Sequence, residues 1–83
     1  MMSDSSVVHH PERSCFTIDS QGVESILQYQ RHGNEVDFTR TYVPSELRGQ
    51  GLAEKLVRQG LRWAKTEGLH IHASCWYVAK FLK

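Results

Sequence analysis

A short glycine-containing loop followed by an amphipathic helix places the strongest constraint on what this chain can form. Residues 48–53 are Arg-Gly-Gln-Gly-Leu-Ala, and apolar residues then recur at helical spacing. Glycine has no Cβ, so the backbone of such a loop can approach a ligand closely. The first N–H groups of a helix lack partners within the helix and point, with its positive dipole end, at the loop. The segment therefore predicts a phosphate site, to which Arg48 adds a charged, forked donor.

Hydrophobic periodicity predicts a sheet around this loop. Alternating apolar residues favour strands, whereas apolar residues three and four positions apart favour helices. Strands separated by short turns pair antiparallel, whereas a strand–helix–strand unit requires a parallel pair. We therefore expect an α+β or α/β fold with a mixed four-stranded sheet, built as an antiparallel meander plus one βαβ unit, with a long helix and a short C-terminal helix. The predicted strands are 15–18, 23–30, 35–43 and 69–73, and the predicted helices are 51–67 and 76–82.

Two positions depart from the pattern of their elements. Arg40 falls on the strand face that Val36, Phe38 and Tyr42 share, so either its side chain extends past apolar neighbours or the strand bulges before it. Gly60 lies in the helix near the apolar stripe, where glycine costs about 1 kcal/mol relative to alanine. A close approach of the helix to the sheet explains this glycine. The stripe consists of Leu52, Leu56, Val57, Leu61 and Ala64.

Length and composition indicate one small domain. The chain has 83 residues, with ten basic and nine acidic side chains and a net charge of +1. A broad nucleic-acid interface needs a clear basic excess, so this balance argues against nucleic-acid binding. Residues 1–13 show little apolar periodicity, and we expect a flexible tail there. A single domain is expected at 14–83, as a monomer or a weak homodimer.

The chain also lacks the signals of export. No apolar run is long enough to cross a bilayer, and the first residues lack the charged and apolar regions of a signal peptide. Cys15 and Cys75 are far apart and do not suggest a disulfide framework. We therefore expect a cytoplasmic protein that does not contact membranes, because reduced thiols persist in that compartment.

The loop and its flanks resemble a known family. Arg48, Gly51 and Ala53 match the pattern Gln/Arg-x-x-Gly-x-Gly/Ala, which resembles the acetyl-CoA pyrophosphate loop of the GNAT superfamily of N-acetyltransferases. The flanking segments 42–47 and 74–78 are similar to the minimal single-domain branch of that superfamily, in which a cysteine occupies the late position held here by Cys75. The resemblance spans roughly residues 14–82. It implies a GNAT-like fold and the transfer of an acetyl group from acetyl-CoA, the co-substrate, to an amine.

The resemblance also implies which residues hold acetyl-CoA. In the superfamily, backbone groups of the strand before the loop pair with the pantetheine arm, and the loop holds the pyrophosphate. A glycine-containing helix start without a ligand is the alternative, and it would leave a protein-interaction module or a CoA-binding protein without turnover. The implied residues are Thr41, Tyr42 and Val43 on the strand, and Arg48, Gly49, Gln50, Gly51, Leu52 and Ala53 in the loop.

Cys75 is the strongest candidate for covalent chemistry. It follows a predicted strand and lies at or near the start of a short helix, a position that lowers the pKa of a thiol. Its thiolate could accept the acetyl group before the amine does. Alternatively it is a polar neighbour in direct transfer, or a small buried apolar residue. Cys15 has no such context, and we expect it to fill the core.

Other polar residues near the predicted site have weaker assignments. Asp37 and Glu35 are candidate bases for the amine, although charges at strand edges are commonly solvated. His70, His72 and Cys75 have the composition of a metal site, but no fourth ligand is evident, and we predict no metal.

Overall fold

The computed structural model describes residues 7–82, which form one five-stranded sheet with a long helix packed on one face. The strands are β1 (Val7–His10), β2 (Cys15–Ser20), β3 (Val23–His32), β4 (Glu35–Tyr42) and β5 (His70–Ala73). The helices are α1 (Leu52–Thr66) and α2 (Trp76–Ala79), and 3₁₀ turns lie at Pro11–Arg13, Ser45–Leu47 and Lys80–Leu82.

The strand order follows the chain, from β1 at one edge to β5 at the other. Strands β1 to β4 pair antiparallel, and β4 pairs with β5 in parallel. This confirms the predicted mixed sheet with one βαβ unit around α1.

The prediction of four strands was wrong, because a fifth precedes them. Strand β1 comes from the segment expected to be a tail, and its Val7 and His10 pair with Ile18 and Cys15 of β2. Four residues that include two histidines show no apolar alternation of their own, so this strand depends on β2 and the core beneath it. The rest of the expected tail, at residues 1–6, lies outside the described residues.

The core lies between α1 and the sheet. Gly60 allows the helix to approach closely, since a Cβ added there would lie 2.8 Å from Leu27 Cδ2 and 3.0 Å from Phe38 Cε1. This confirms the reason predicted for the glycine. Of the predicted helical stripe, Leu61 is only partly buried. The buried residues of α1 are Leu52, Leu56, Val57, Gly60 and Ala64.

A bulge in β4 explains the position of Arg40. Tyr29 pairs with Phe38 but Gln28 pairs with Arg40, which leaves Thr39 without a counterpart. The extra residue reverses the alternation, so Arg40 is exposed without interrupting the core. The expectation that Tyr42 shares the face of Phe38 was therefore wrong, and Tyr42 is 42% exposed.

Candidate functional site

Strands β4 and β5 part at the carboxyl end of the β4–β5 ladder. Their last pair joins Phe38 to Ala73, and the N–H of Cys75 then donates to the carbonyl of Phe38 over 3.0 Å. Strand β4 continues to Tyr42, whereas the chain after β5 turns into α2. We call the space between β4 beyond Phe38 and the start of α2 the wedge. Open α/β sheets bind ligands at this kind of position.

The loop at residues 48–53, called the phosphate loop below after its predicted role, lies beside the wedge, with residues 48–51 exposed and Leu52 buried at the start of α1. Gly49 and Gly51 have φ angles of 85° and 77°, a left-handed conformation that favours glycine. A Cβ at either position would meet no atom within 4 Å, so open space adjoins both. Gly51 is the N-cap of α1 and accepts its first helical hydrogen bond from Lys55 over 3.1 Å. The N–H groups in the first turn of α1 therefore lack helical partners and face this space.

Two contacts hold the phosphate loop to the core. Leu47 is completely buried and ends the 3₁₀ turn that leads into the loop. Arg48 donates a hydrogen bond from Nε to the carbonyl of Val43 over 3.0 Å, while its side chain stays exposed. One nitrogen of the guanidinium thus positions the group, and its two terminal nitrogens are available to an anion.

Two adjoining cavities connect the phosphate loop to the wedge. Their volumes are about 190 Å³ and 400 Å³, and both are lined by Val43, Arg48, Ala53 and Tyr77. The smaller adds Gly49, Gly51 and Leu52, and the larger adds Thr41 and Tyr42. Of the residues predicted to hold acetyl-CoA, only Gln50 lies outside both linings.

The thiol of Cys75 lies at the wedge, partly buried, at the N-cap of α2. Its Sγ is 3.6 Å from Thr41 Oγ1. Burial is the largest single influence on the pKa of Cys75 and raises it, but hydrogen bonds from the Val78 N–H, the Thr41 hydroxyl and the Tyr77 N–H together bring it below its ordinary value of 9.0. The Cys75 thiolate is therefore easier to form than that of an ordinary cysteine.

Cys15 has the opposite environment. It is 1% exposed within the core, and burial raises its pKa above the ordinary value of 9.0. The pKa values of the two cysteines are thus shifted in opposite directions, and Cys15 fills the core as expected.

Comparison with known proteins identifies the family. Residues 15–83 match the model of the GCN5-related N-acetyl-transferase family. This chain belongs to that family. The GNAT fold predicted from the loop is therefore confirmed, with a mixed sheet, a long helix and a short C-terminal helix.

Curated vertebrate proteins named NATD1 are similar to this GNAT chain. The Bos taurus protein is 36% identical over 80 residues, covering 93% of this chain and 71% of its own length. The Gallus gallus protein is 35% identical over 80 residues, covering 93% and 73%. The Homo sapiens protein is 35% identical over 80 residues, covering 93% and 71%.

Four residues line the cavities of this GNAT domain in addition to those predicted to hold acetyl-CoA. Leu47 and Glu54 line the smaller cavity, and Trp76 lines the larger. Trp76 is 73% exposed, and the Lys80 Nζ lies 5.5 Å from the centroid of its ring. Its place directly after Cys75 is the one signal that could have identified it. Tyr77 lines both cavities, and burial, with Glu54 nearby, raises its pKa above 10.0.

The two candidate bases both have partners within the protein. Asp37 Oδ1 accepts the N–H of Ser74 over 2.8 Å, and Oδ2 accepts its hydroxyl over 2.7 Å. Glu35 Oε1 lies 3.2 Å from Nε2 of His72.

Two further classes of function can be compared with the geometry. Within residues 7–82, no three or more His, Cys, Asp and Glu side chains are grouped to hold a metal ion. In the same range, no helix combines the length and apolar character needed to cross a membrane.

Proposed function

We propose that this GNAT domain binds acetyl-CoA in the two connected cavities and transfers the acetyl group to an amine. The observation that supports this most directly is that the phosphate loop and the end of β4 line two cavities that share four lining residues, and that Thr41 of the larger cavity lies 3.6 Å from Cys75 Sγ. Cys75 itself lines neither cavity. The arrangement places a helix start suited to an anion, a strand end without a β5 partner and a thiol one after another. This order matches the chemical order of acetyl-CoA, from pyrophosphate through pantetheine to thioester.

The pyrophosphate would lie over Gly49 and Gly51, against the first turn of α1. Backbone N–H groups and the positive end of the helix dipole stabilise negative charge there. Arg48 would add its terminal nitrogens, which are held near the loop by the Nε bond to Val43. A guanidinium suits this task because its fork matches two phosphate oxygens.

The pantetheine arm would run along β4 into the wedge. Beyond Phe38 the β4–β5 ladder has ended, so the backbone of Thr41, Tyr42 and Val43 can hydrogen-bond the amides of the arm as an added strand would. Such contacts depend on the backbone alone, which explains why the side chains there show no ligand signature. The thioester would then reach the thiol of Cys75.

Two routes of transfer fit this geometry. In the first, the Cys75 thiolate attacks the thioester carbonyl; a bond forms from Sγ to the acetyl carbon, and the carbon–sulfur bond of CoA breaks to release the CoA thiolate. The amine then attacks the acetyl-cysteine, the Cys75 thiolate leaves, and the amine proton passes to solvent or a base. In the second route, the amine attacks the thioester directly and Cys75 is a polar neighbour.

A non-catalytic CoA-binding domain is the second candidate function. The favouring observation is that both candidate bases, Asp37 and Glu35, already have partners in Ser74 and His72. Without a free base, an ammonium acceptor would stay protonated and unreactive.

We also propose a reducing, cytoplasmic location, since both cysteines are free thiols.

Titration with acetyl-CoA, followed by amide resonances, tests binding. Amides of residues 48–54 should shift most, because the pyrophosphate needs those N–H groups. The absence of any shift at millimolar CoA would contradict both candidate functions.

Mass spectrometry after incubation with acetyl-CoA then separates the routes. An acetyl group on the Cys75 peptide, absent from Cys75→Ala, supports the covalent route. If Cys75→Ala acetylates amines at the normal rate, transfer is direct. If neither acetyl-cysteine nor thiol release is seen with a panel of amines, the domain is a binding module.

A further inference from the structure

Asp37 holds the turn that presents Cys75. Asp37 pairs with His72 one step before the β4–β5 ladder ends. Its two carboxylate oxygens accept the N–H and the hydroxyl of Ser74 over 2.8 Å and 2.7 Å. Hydrogen bonds to a charged acceptor are stronger than bonds between neutral groups. The carboxylate therefore fixes both the backbone and the side chain of the residue before Cys75.

A third hydrogen bond continues this attachment. The N–H of Cys75 donates to the carbonyl of Phe38 over 3.0 Å. Ser74 is exposed and Cys75 only partly buried, so apolar packing holds the turn weakly. Three hydrogen bonds to the adjacent residues Asp37 and Phe38 thus attach the β5–α2 turn, Ser74 and Cys75, to β4.

The same attachment determines which donors reach the thiol. Thr41 belongs to β4, whereas the N–H groups of Tyr77 and Val78 belong to α2. Helix α2 has four residues, too few to be stable by itself. The thiol is therefore placed between donors from two elements, and the turn joins them.

We propose that Asp37 is a positioning residue that fixes the β5–α2 turn on β4 and thereby keeps Cys75 Sγ beside Thr41 at the wedge. This deepens the proposed function, on which the importance of the thiol rests. Asp37 acts through Ser74 and touches neither acetyl-CoA nor the acetyl group. In this role each of its oxygens already accepts a hydrogen bond from Ser74, so we assign Asp37 to positioning and not to the base.

A positioning role and a purely electrostatic role of Asp37 predict opposite changes in the pKa of Cys75. A nearby carboxylate disfavours a thiolate, so removing the charge alone would lower the pKa of Cys75. Loss of the attachment would instead separate the thiol from its hydrogen-bond donors and raise that pKa. The direction of the change therefore distinguishes a positioning residue from a neighbouring charge.

The test measures the rate of Cys75 alkylation by iodoacetamide against pH, with the modified peptides resolved by mass spectrometry. In Asp37→Ala we expect the pH midpoint of the alkylation profile to rise by about one unit, and the alkylation rate of Cys75 near neutral pH to fall about tenfold. Asp37→Asn keeps an oxygen for the Ser74 N–H and should restore most of the rate. Ser74→Ala removes only the hydroxyl bond and should slow alkylation by a smaller factor.

Glu35→Ala is the matched control. Glu35 lies two residues before Asp37 on the same strand and contacts His72 of β5, so the variant removes a carboxylate that is further from Cys75 without loosening the turn. We expect its alkylation profile to match the unmodified protein. The proposal is overturned if Asp37→Ala also matches, or if its midpoint falls. Should Asp37→Ala fail to fold by circular dichroism, unchanged profiles in both Asp37→Asn and Ser74→Ala overturn it equally.

Two further measurements separate this proposal from the proposed function. The affinity of Asp37→Asn for CoA should change less than twofold, because the phosphate loop is not involved. If the alkylation profiles behave as expected while the unmodified protein never forms acetyl-cysteine, the positioning role stands and the covalent route fails.

Discussion

The two ends of α1 differ in their exposure and in what they pack against. The N-terminal end begins at Gly51, faces the phosphate loop, and adjoins open space and two cavities. The C-terminal end packs on a group of rings, His9, Phe16, Tyr29 and Trp63, which we call the aromatic cluster and which borders a further cavity of about 360 Å³. In the cluster the ring centroids of His9 and Phe16 are 4.1 Å apart, and those of Tyr29 and Trp63 are 4.8 Å apart.

Strand β1 contributes His9 to the aromatic cluster, where it contacts rings of β3 and α1. His9 Nε2 and the Tyr29 hydroxyl are 2.7 Å apart, and the His9 ring lies 4.8 Å from Trp63. Stacked and edge-on ring pairs contribute beyond their buried area. Outside the cluster, the Arg31 guanidinium lies 5.9 Å from the centroid of Trp63 and pairs with Glu67 over 3.8 Å.

The contrast indicates how a small domain divides stability from binding. Packing at the aromatic cluster orders the helix, whereas the N-terminal end keeps polar backbone groups available for a ligand. Substitutions in the aromatic cluster should therefore reduce stability without changing CoA affinity, and those at the N-terminal end should reduce CoA affinity more than stability. Four predictions test this division, in order of decreasing effect.

Trp63→Ala should have the largest effect. It removes the ring that contacts each of the other three members of the aromatic cluster. Truncation of a packed tryptophan costs about 3 kcal/mol of folding free energy. Urea unfolding should show this loss, while the dissociation constant for CoA measured on the folded protein changes less than twofold. A large loss of affinity in the folded variant would show that the two ends of α1 are coupled.

Gly60→Val should rank second, at the middle of the helix. Its new Cβ would need the space of Leu27 Cδ2, at 2.8 Å, and Phe38 Cε1, at 3.0 Å. Overpacking of this kind costs about 2 kcal/mol. Gln59→Val, on the neighbouring exposed position, is the control for helix propensity and should cost about 0.5 kcal/mol. Equal stabilities of the two variants in urea would mean that the helix can shift away from the sheet.

Gly51→Ala should affect binding more than stability. The φ of 77° costs a non-glycine residue about 1 kcal/mol, and the change alters the N–H groups proposed to hold the pyrophosphate. We expect CoA affinity to fall about tenfold, or about 1.4 kcal/mol. Lys55→Ala, one turn further along the helix, should weaken binding less. Equal losses would indicate an electrostatic site without backbone recognition.

The smallest expected effect is a pH dependence from His9. Burial, with a contribution from the neighbouring His10, lowers its pKa below the ordinary value of 6.5, against smaller opposing effects of Glu12 and Glu67. The folded state then binds fewer protons than the unfolded state as pH falls through 6.5 towards the folded pKa. Stability should thus be full above this range and decline on acidification.

Thermal unfolding between neutral and mildly acid pH measures this decline. His9→Gln should flatten the curve within that window, whereas His32→Gln, at an exposed position, should leave its shape unchanged. A curve unaltered by His9→Gln would show that the stability contributed by the aromatic cluster does not depend on a neutral His9 imidazole.

The limits of prediction follow the range of the interactions involved. The glycines and basic residue of the phosphate loop, the apolar stripe of α1 and the close approach at Gly60 follow from local spacing and conformation, and the sequence predicted all three. The face of Tyr42 could not be predicted, because it depends on the bulge at Thr39, which appears only when β3 and β4 pair. Strand β1 could not be predicted, because it is stabilised by contacts of His9 with rings that are distant in the sequence.

The sequence by itself therefore determined the family, the order of the main elements and the position of the phosphate loop, because each depends on residues that lie close together in the chain. Only the tertiary structure decided that Thr41 and Cys75, 34 positions apart, meet at the wedge. It also decided that Tyr77 lines both cavities that Arg48 lines, and that Trp76 lines the larger one. Only the structure, too, revealed that Asp37 binds Ser74. The physical reason is that parallel pairing of β4 with β5 brings distant segments together at one edge of the sheet, where the N–H of Cys75 binds the carbonyl of Phe38 and the thiol lies beside Thr41.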